Sequence, residues 1–412
     1  MTEIDVEVAI VGAGPVGLTA ALALSRSGVS VVVLEQQTGP GTFWRASTFH
    51  PPTLDVADAL GIVEPMLAQG LRAPYYQMRD YRSGPVARFD LGVLADETAW
   101  PFRLQLEQYK YAAIVAGKLA EYPSAEVAYG RRLTGLVQTD DHVELEINGS
   151  DRLTSRWLIA GDGSASTVRE LAGIGFEGYS YPTRRLLVST DTALDEIVPD
   201  LDRVNYVYAP VGAGMVLRIP DVWRVMFSLP GDVDDETAAT EEYYAVRVKE
   251  LLGVTVSVLT TQVYHVHQRV ADGLKKGRVL LAGDAAHVNS PTGGMGLNSG
   301  IHDAVDLAAT FTAARDNAHR ALESWSTRRR TAAVTEIQRI THRNTVDLGE
   351  SDEAARLRKQ DEMRAVAADP DRAKEWLMES SMINSVRRLP IGVPRVAPHS
   401  RVFAAELAGG AR

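Results

Sequence analysis

Cysteine is absent from the 412-residue chain, and that gap excludes disulfides, thiolate nucleophiles, cysteine-ligated metals and cysteinyl attachment of a cofactor. Any redox chemistry has to use a borrowed group. No apolar run is long enough to span a bilayer. The acidic opening Met1-Thr2-Glu3-Ile4-Asp5 leads straight into a strand pattern, without the basic start or small-residue cleavage site of a secretory signal. A cytoplasmic location without a membrane span is therefore expected. Basic residues are in deficit, 43 Lys and Arg against 53 Asp and Glu for a net charge of −10, so no nucleic-acid partner is expected. The run Arg328-Arg329-Arg330 falls in a helical pattern and reads as a solvated face.

What the chain does have is length beyond the reach of one hydrophobic core, which favours two joined lobes and a cleft. Val6–Val11 is a β-branched run followed by a Gly-rich turn, an apolar helix pattern over Val16–Ser27 and a second run at Val31–Leu34. This is a βαβ signature, with Gly28 where the helix closes. Helices are expected at Leu54–Leu60 and at about Glu107–Glu121, and short alternating strands at Leu133–Gln138, Val143–Ile147 and Leu153–Ile159. From about Leu186 to His267 the pattern is one of alternating strands, clearest at Val204–Tyr208, Met215–Ile219 and Arg224–Leu229. A buried strand at Arg278–Leu281 then precedes a second Gly-rich loop and a long helix from Asn298 to about Ala314. The sheet of the first lobe thus resumes after an insertion.

Three motifs carry the chemistry. Gly12-Ala13-Gly14-Pro15-Val16-Gly17 lies between strand and helix, and Glu35 ends the following strand. Gly12 permits the tight turn, Gly14 admits a pyrophosphate to the backbone, Gly17 allows close helix–strand packing, and Glu35 suits ribose hydroxyls. Gly283-Asp284-Ala285-Ala286-His287 places an acid at a strand's carboxyl end, where it can accept a hydrogen bond from a polyol. The same second motif continues with Pro291-Thr292-Gly293-Gly294-Met295-Gly296-Leu297-Asn298, which leaves bare backbone at a helix start, whose partial positive charge suits the N1 and C2 carbonyl region of a reduced flavin. The third motif, Ala160-Gly161-Asp162-Gly163 through Arg169, again runs from strand to helix, and Asp162 and Arg169 are also suited to bracing their turn.

In this order the segments resemble the class A FAD-dependent aromatic monooxygenases, the family of para-hydroxybenzoate hydroxylase, over roughly residues 4–345. The resemblance implies an α/β fold: a Rossmann-like FAD-binding domain (1–74, 100–175, 268–340), an inserted β-sheet substrate domain (75–99, 176–267) and C-terminal helices (341–412). It implies FAD contacts at Gly12, Gly14, Pro15, Gly17, Glu35, Arg45, Gln108, Asp162, Asp284, Gly296, Leu297 and Asn298, with Pro291, Gly293 and Gly294 beside the reactive ring. NADPH or NADH is the implied transient reductant, since only one strong dinucleotide fingerprint is present. The implied reaction forms a flavin C4a-hydroperoxide from O2 and hydroxylates a small phenolic or heteroaromatic substrate in a site closed to water.

On the inserted sheet, Arg218 matches a position where the family can grip a substrate carboxylate, and Tyr206 is a candidate for holding a substrate hydroxyl, with Tyr208 on the same face. Met226 replaces a polar aromatic of the hydroxybenzoate pattern and suggests an apolar wall. His265 and His267 share a face without a carboxylate at suitable spacing, so no metal is expected. His287 reads as a brace of its loop. Rival readings remain: an oxidase or reductase of the same fold without oxygen insertion, or a non-catalytic flavin-binding protein. A homodimer is compatible with the sequence but not argued by it.

Overall fold

The computed structural model describes residues 4–42, 46–209 and 214–392. Its first sheet is built on a parallel row in the order Val279–Leu281, Asp151–Ala160, Val6–Val11, Val31–Glu35 and Ala125–Tyr129. Both faces of such a row are covered, which is why Val6–Val11 is nearly continuously apolar rather than alternating. Parallel neighbours need a crossover, supplied between the first two strands by the helix Pro15–Ser25. That helix is buried along almost its whole length because the helix Gly296–Ala313 packs on it. The second helix is tightly seated at Gly300, where a Cβ would stand 2.7 Å from the Val16 side chain and 3.0 Å from the Gly283 Cα. The antiparallel strands Leu133–Gln138 and Val143–Ile147 extend the sheet as a hairpin.

The second sheet runs in the order His287–Val288, Thr260–Ala271, Phe176–Thr190, Trp223–Leu229, Gly214–Arg218, Val204–Tyr208, Tyr75–Asp80 and Gly84–Asp90. Its pairings are antiparallel except for Val204–Tyr208 with Tyr75–Asp80. Tyr75–Asp90 joins this sheet although more than a hundred residues separate it from Val204–Tyr208 in the chain. Thr48–Phe49, Arg103–Gln105 and Leu71–Ala73 form a separate three-stranded ribbon. The helices Glu353–Ala368, Pro370–Ser380 and Ile383–Arg388 complete the described chain. The architecture is α/β with a Rossmann-like parallel core, an additional β-sheet and C-terminal helices.

Three sequence expectations need correction. The stretch from Leu186 to His267 is not all strand: the helices Asp235–Ala238 and Glu241–Leu252 interrupt it, and Val248 and Leu251 cover the outer face of the second sheet. The helix expected at Leu54–Leu60 begins earlier, at Pro51, because proline lacks only an N–H that the first turn leaves unpaired anyway. Arg328-Arg329-Arg330 is not a solvated face. Arg329 is 3% exposed and its Nε donates to Asp303 at 2.7 Å, Arg328 pairs with Asp306 at 2.9 Å, and Arg330 donates to the Ala271 carbonyl. Two carboxylates one turn apart on the Gly296–Ala313 helix draw two of the three cations inward.

Candidate active site

All three glycine-bearing turns leave the same edge of the first sheet. Gly12 N donates to Leu34 O at 2.8 Å, Gly161 N to Val11 O at 2.8 Å, and Ala282 N to Ala160 O at 3.0 Å, so each turn starts at the carboxyl end of a neighbouring strand. Crowding there makes glycine compulsory. A Cβ on Gly12, at φ +102°, would meet Gly161 O at 2.5 Å, and one on Gly17 would meet Gly12 O at 2.0 Å. Gly14 is different: its φ of −78° and ψ of 178° suit any residue, and among the described residues, its two chain neighbours aside, no atom lies within 4 Å of where its Cβ would be. The free space at Gly14 belongs to a cleft of about 430 Å³.

That cleft brings together most of the sequence-derived candidates. Gly12, Gly14, Pro15, Glu35, Gln108, Asp162, Asp284, Gly296 and Leu297 line it; Gly17 stands behind it in the strand–helix contact. The Glu35 carboxylate accepts from Ala13 N and Gln37 N, both at 2.9 Å, which fixes the glycine turn. Asp162 accepts from Ser166 Oγ at 2.6 Å and from Val168 N at 3.1 Å, and burial raises its pKa. Arg169 braces the turn by donating to the carbonyls of Ala285 and Ser164. Gln108 opens the helix Gln108–Leu119, while Arg45 lies outside the described residues. The helix Gly296–Ala313 has no side-chain cap, so its first N–H groups remain available to an anion.

The Pro291–Gly294 turn closes on itself through Gly294 N to Pro291 O at 2.9 Å. Gly293 and Gly294 have φ of +116° and +69°, values that favour glycine. Asn298 is a clasp rather than a free donor: it accepts from His50 N at 2.9 Å and donates to Thr48 O and Gly294 O at 2.9 and 2.7 Å. His50, not singled out in the sequence, holds the turn from the other side with Nε2 2.9 Å from Gly293 O. A carbonyl only accepts, so the proton sits on Nε2. Burial, reinforced by the Arg103 cation, depresses the His50 pKa well below the ordinary histidine value and keeps the ring neutral.

Behind the turn, His302 contacts Thr53 Oγ1 at 2.9 Å and burial, with Arg329 nearby, holds its pKa down at about 3. A histidine neutral when folded but protonated when unfolded weakens the fold as pH falls from about 6.5 toward 3. Urea midpoints measured at pH 7 and pH 5 are expected to differ, with a smaller difference in His302→Gln. An unchanged difference would show that His302 does not carry the effect.

On the second sheet, register decides which side chains face the first lobe. Tyr206 pairs with Met215 and Met215 with Met226, on the face that joins the main core. Val216, Val225 and Phe227 point the other way, against Glu241–Leu252. Arg218 shares the parity of Val216, pairs with Trp223 and lies over the Trp223 ring at 5.7 Å. It therefore sits on the outer face, which does not suit a substrate grip from the cleft side. The inner face instead carries the buried Arg185 and Arg224. Tyr264 is there too, with its hydroxyl 2.7 Å from Met226 Sδ. His287 does brace its loop, with Nε2 2.7 Å from Asp303.

A second cavity, of about 180 Å³, lies between this inner face and the C-terminal helices. Tyr76, Met78, Tyr208, Met363, Val366 and Trp376 form its largely apolar wall, and charged residues of 343–362 form its rim. It adjoins the glycine turn: Asn344, which borders it, places Nδ2 3.2 Å from where a Gly293 Cβ would be. Tyr206 stacks on Tyr76 at 4.6 Å and accepts from Arg103 Nη1 at 3.4 Å. Tyr76 and Arg103 left no signal in the sequence, since neither belongs to a motif and only the fold joins their strands. No helix among the described residues is long and apolar enough to cross a membrane.

Residues 5–341 match the family described as FAD binding domain. Para-nitrophenol 4-monooxygenase of Pseudomonas sp. (strain WBC-3) is 33% identical over 394 residues, 92% of this chain and 96% of that protein. The crystal structure of p-nitrophenol 4-monooxygenase from Pseudomonas putida DLL-E4 superposes with a TM-score of 0.86 at 31% identity, covering 92% of this chain and 99% of that one. The 6-methylpretetramide 4-monooxygenase of Streptomyces rimosus is 33% identical over 312 residues, 73% of this chain but only 55% of that longer protein.

Proposed function

This chain belongs to the FAD binding domain family and is an FAD-dependent aromatic monooxygenase; we propose that it hydroxylates a single-ring phenol seated in the 180 Å³ cavity, with NAD(P)H as transient reductant and O2 as oxidant. Pockets for drug-sized ligands run to about 300–1,000 Å³, so the smaller cavity suits one substituted ring and not a fused polycycle. The observation that carries the reading is the position of the Pro291–Gly296 turn. The 430 Å³ cleft reaches Gly296 and Leu297 at one end of the turn, and the ring-sized cavity reaches Gly293 through Asn344 at the other.

FAD, when bound, supplies the hydride acceptance and oxygen activation that no side chain here provides. The cleft fits it, because Gly14 is a glycine for which the protein has no internal need, facing free space at a helix N-terminus. In this reading Gly12, Gly14, Pro15 and Gly17 shape the pyrophosphate seat and Glu35 takes the adenosine ribose. Gln108, Asp162 and Asp284 line the path of the ribityl chain, and the uncapped start at Gly296 and Leu297 favours negative charge on the reduced ring. Pro291, Gly293 and Gly294 form the wall that keeps water from the reacting atoms, with Asn298 and His50 holding that wall in place. The domain division at 74/75, 99/100, 175/176, 267/268 and 340/341 belongs to the same proposal. The cytoplasm, where reduced nicotinamide is regenerated, is the proposed location.

A series of phenols of increasing ring number, tested for stimulation of NAD(P)H oxidation, checks the substrate class. Single-ring phenols are expected to stimulate strongly and three- or four-ring phenols weakly or not at all. Preference for the polycyclic members would overturn the assignment of the cavity.

A further inference from the structure

The charge around the second cavity does not balance. At its rim Lys359 contacts Asp347 at 3.2 Å and Glu362 at 3.5 Å, and Arg343 also borders the opening, so the rim holds two charges of each sign. On the inner side the Tyr208 hydroxyl donates to Met78 sulfur, and His50, beyond Arg103, is neutral. Arg103 itself is 1% exposed. It donates to Ser380 O at 3.0 Å and to Tyr206 Oη at 3.4 Å, its Nε has no hydrogen-bond partner, and among the described residues no carboxylate forms an ion pair with it. Guanidinium stays charged in proteins, and a buried charge is costly unless a counter-charge meets it. Carbonyl and phenol dipoles offset only part of that cost, and a negative charge brought by a ligand would offset the rest.

The side chain between that cation and the cavity is Tyr76. Its ring lies 4.7 Å from the Arg103 guanidinium carbon, stacks on Tyr206 and meets Trp376 edge-on at 4.8 Å, which fixes its orientation. Tyr76 is 3% exposed yet borders the cavity. Burial raises its pKa well above the ordinary phenol value, so it remains a hydrogen-bond donor at all working pH values. We propose that Tyr76 holds the ring oxygen of the substrate and that Arg103, acting through the Tyr76–Tyr206 pair, is the positioning residue that favours the phenolate form. The assignment rests on the cavity being the ring site. The only bond broken is the substrate O–H, its proton passing to bulk water, and the resulting anion is both the counter-charge that Arg103 lacks and the more electron-rich ring for oxygen attack.

The test uses the full-length, FAD-loaded, oxidised enzyme without reductant, and 4-nitrophenol as the probe, since its anion and neutral form differ in visible absorbance. Bound probe is expected to ionise at lower pH than free probe. Arg103→Met should raise the pH of ionisation of the bound probe by about one unit, and Arg103→Lys should restore most of the difference. Tyr76→Phe should weaken nitrophenolate binding about tenfold, as befits one hydrogen bond to a charged oxygen, while nitrobenzene affinity stays unchanged. FAD content and melting temperature identify variants that fold. Folded variants that bind and ionise the probe as wild type does, or that lose nitrophenol and nitrobenzene alike, overturn this assignment alone. Failure of the wild-type enzyme to bind nitrophenol at all would overturn the proposed substrate class together with it.

Discussion

Gly14→Val is expected to leave the apoprotein as stable as wild type while lowering FAD affinity on the order of a hundredfold, about 2.7 kcal/mol. The backbone at Gly14 is extended, at φ −78° and ψ 178°, so the substitution carries no conformational penalty. Beyond the adjoining residues of the chain, no atom of the described residues lies within 4 Å of the added Cβ, so no packing penalty arises there either. What the branched side chain fills is the cleft, directly before the uncapped first turn of the Pro15–Ser25 helix. Gly17→Ala makes the contrast, since its Cβ would stand 2.0 Å from Gly12 O and must distort the turn with or without cofactor. Thermal melts of the apoproteins and FAD titration followed by flavin fluorescence separate the two cases. A destabilised Gly14→Val apoprotein, or one that keeps full FAD affinity, would contradict the role given to this turn.

Asp303→Asn is expected to cost about 3–5 kcal/mol of folding stability, the usual result of stranding a buried charge. The carboxylate is fully buried and receives Arg329 Nε at 2.7 Å, His287 Nε2 at 2.7 Å and Gly283 N at 3.0 Å. Asparagine keeps the shape but removes the charge that balances Arg329. Because Gly283 opens the turn bearing Asp284, FAD retention should fall as well. Burial pushes the Asp303 pKa up, but the charges and hydrogen bonds of His287 and Arg329 prevail and hold it at about 2. A carboxyl with a depressed folded pKa adds stability that is complete above the unfolded value near 4 and is lost as pH falls toward 2. Denaturant melts at neutral pH and at pH 3 measure both effects. A loss of under about 1 kcal/mol at neutral pH would show that Arg329 finds another partner.

The first lobe was readable because local pattern and tertiary role coincide there. Val6–Val11, the glycine turn and Val31–Leu34 each need no distant partner to be identified, and Gly283-Asp284 announces itself by following a buried strand. Arg218 was misplaced because parity along a strand says which residues share a face, not which of the two faces meets the first lobe. That choice is made by Glu241–Leu252, a helix covering the outer face that the strand-like pattern of the region concealed. Arg329 was misread for a related reason: a run of arginines looks solvated until the carboxylates of Asp303 and Asp306, some 25 positions earlier, are known to face it. Tyr76, Arg103 and His50 come from three segments that only the finished fold brings together, so composition and spacing carried no trace of their association.

The account rests on oxygen reaching a ring held beside the Pro291–Gly296 turn, and the most direct measurement is the mass of the product formed under 18O2. With a single-ring phenol that stimulates NAD(P)H oxidation, one heavy oxygen atom per product molecule is expected, on the ring. Heavy oxygen recovered only as hydrogen peroxide or water, with the phenol unchanged or oxidised without it, would contradict the assignment.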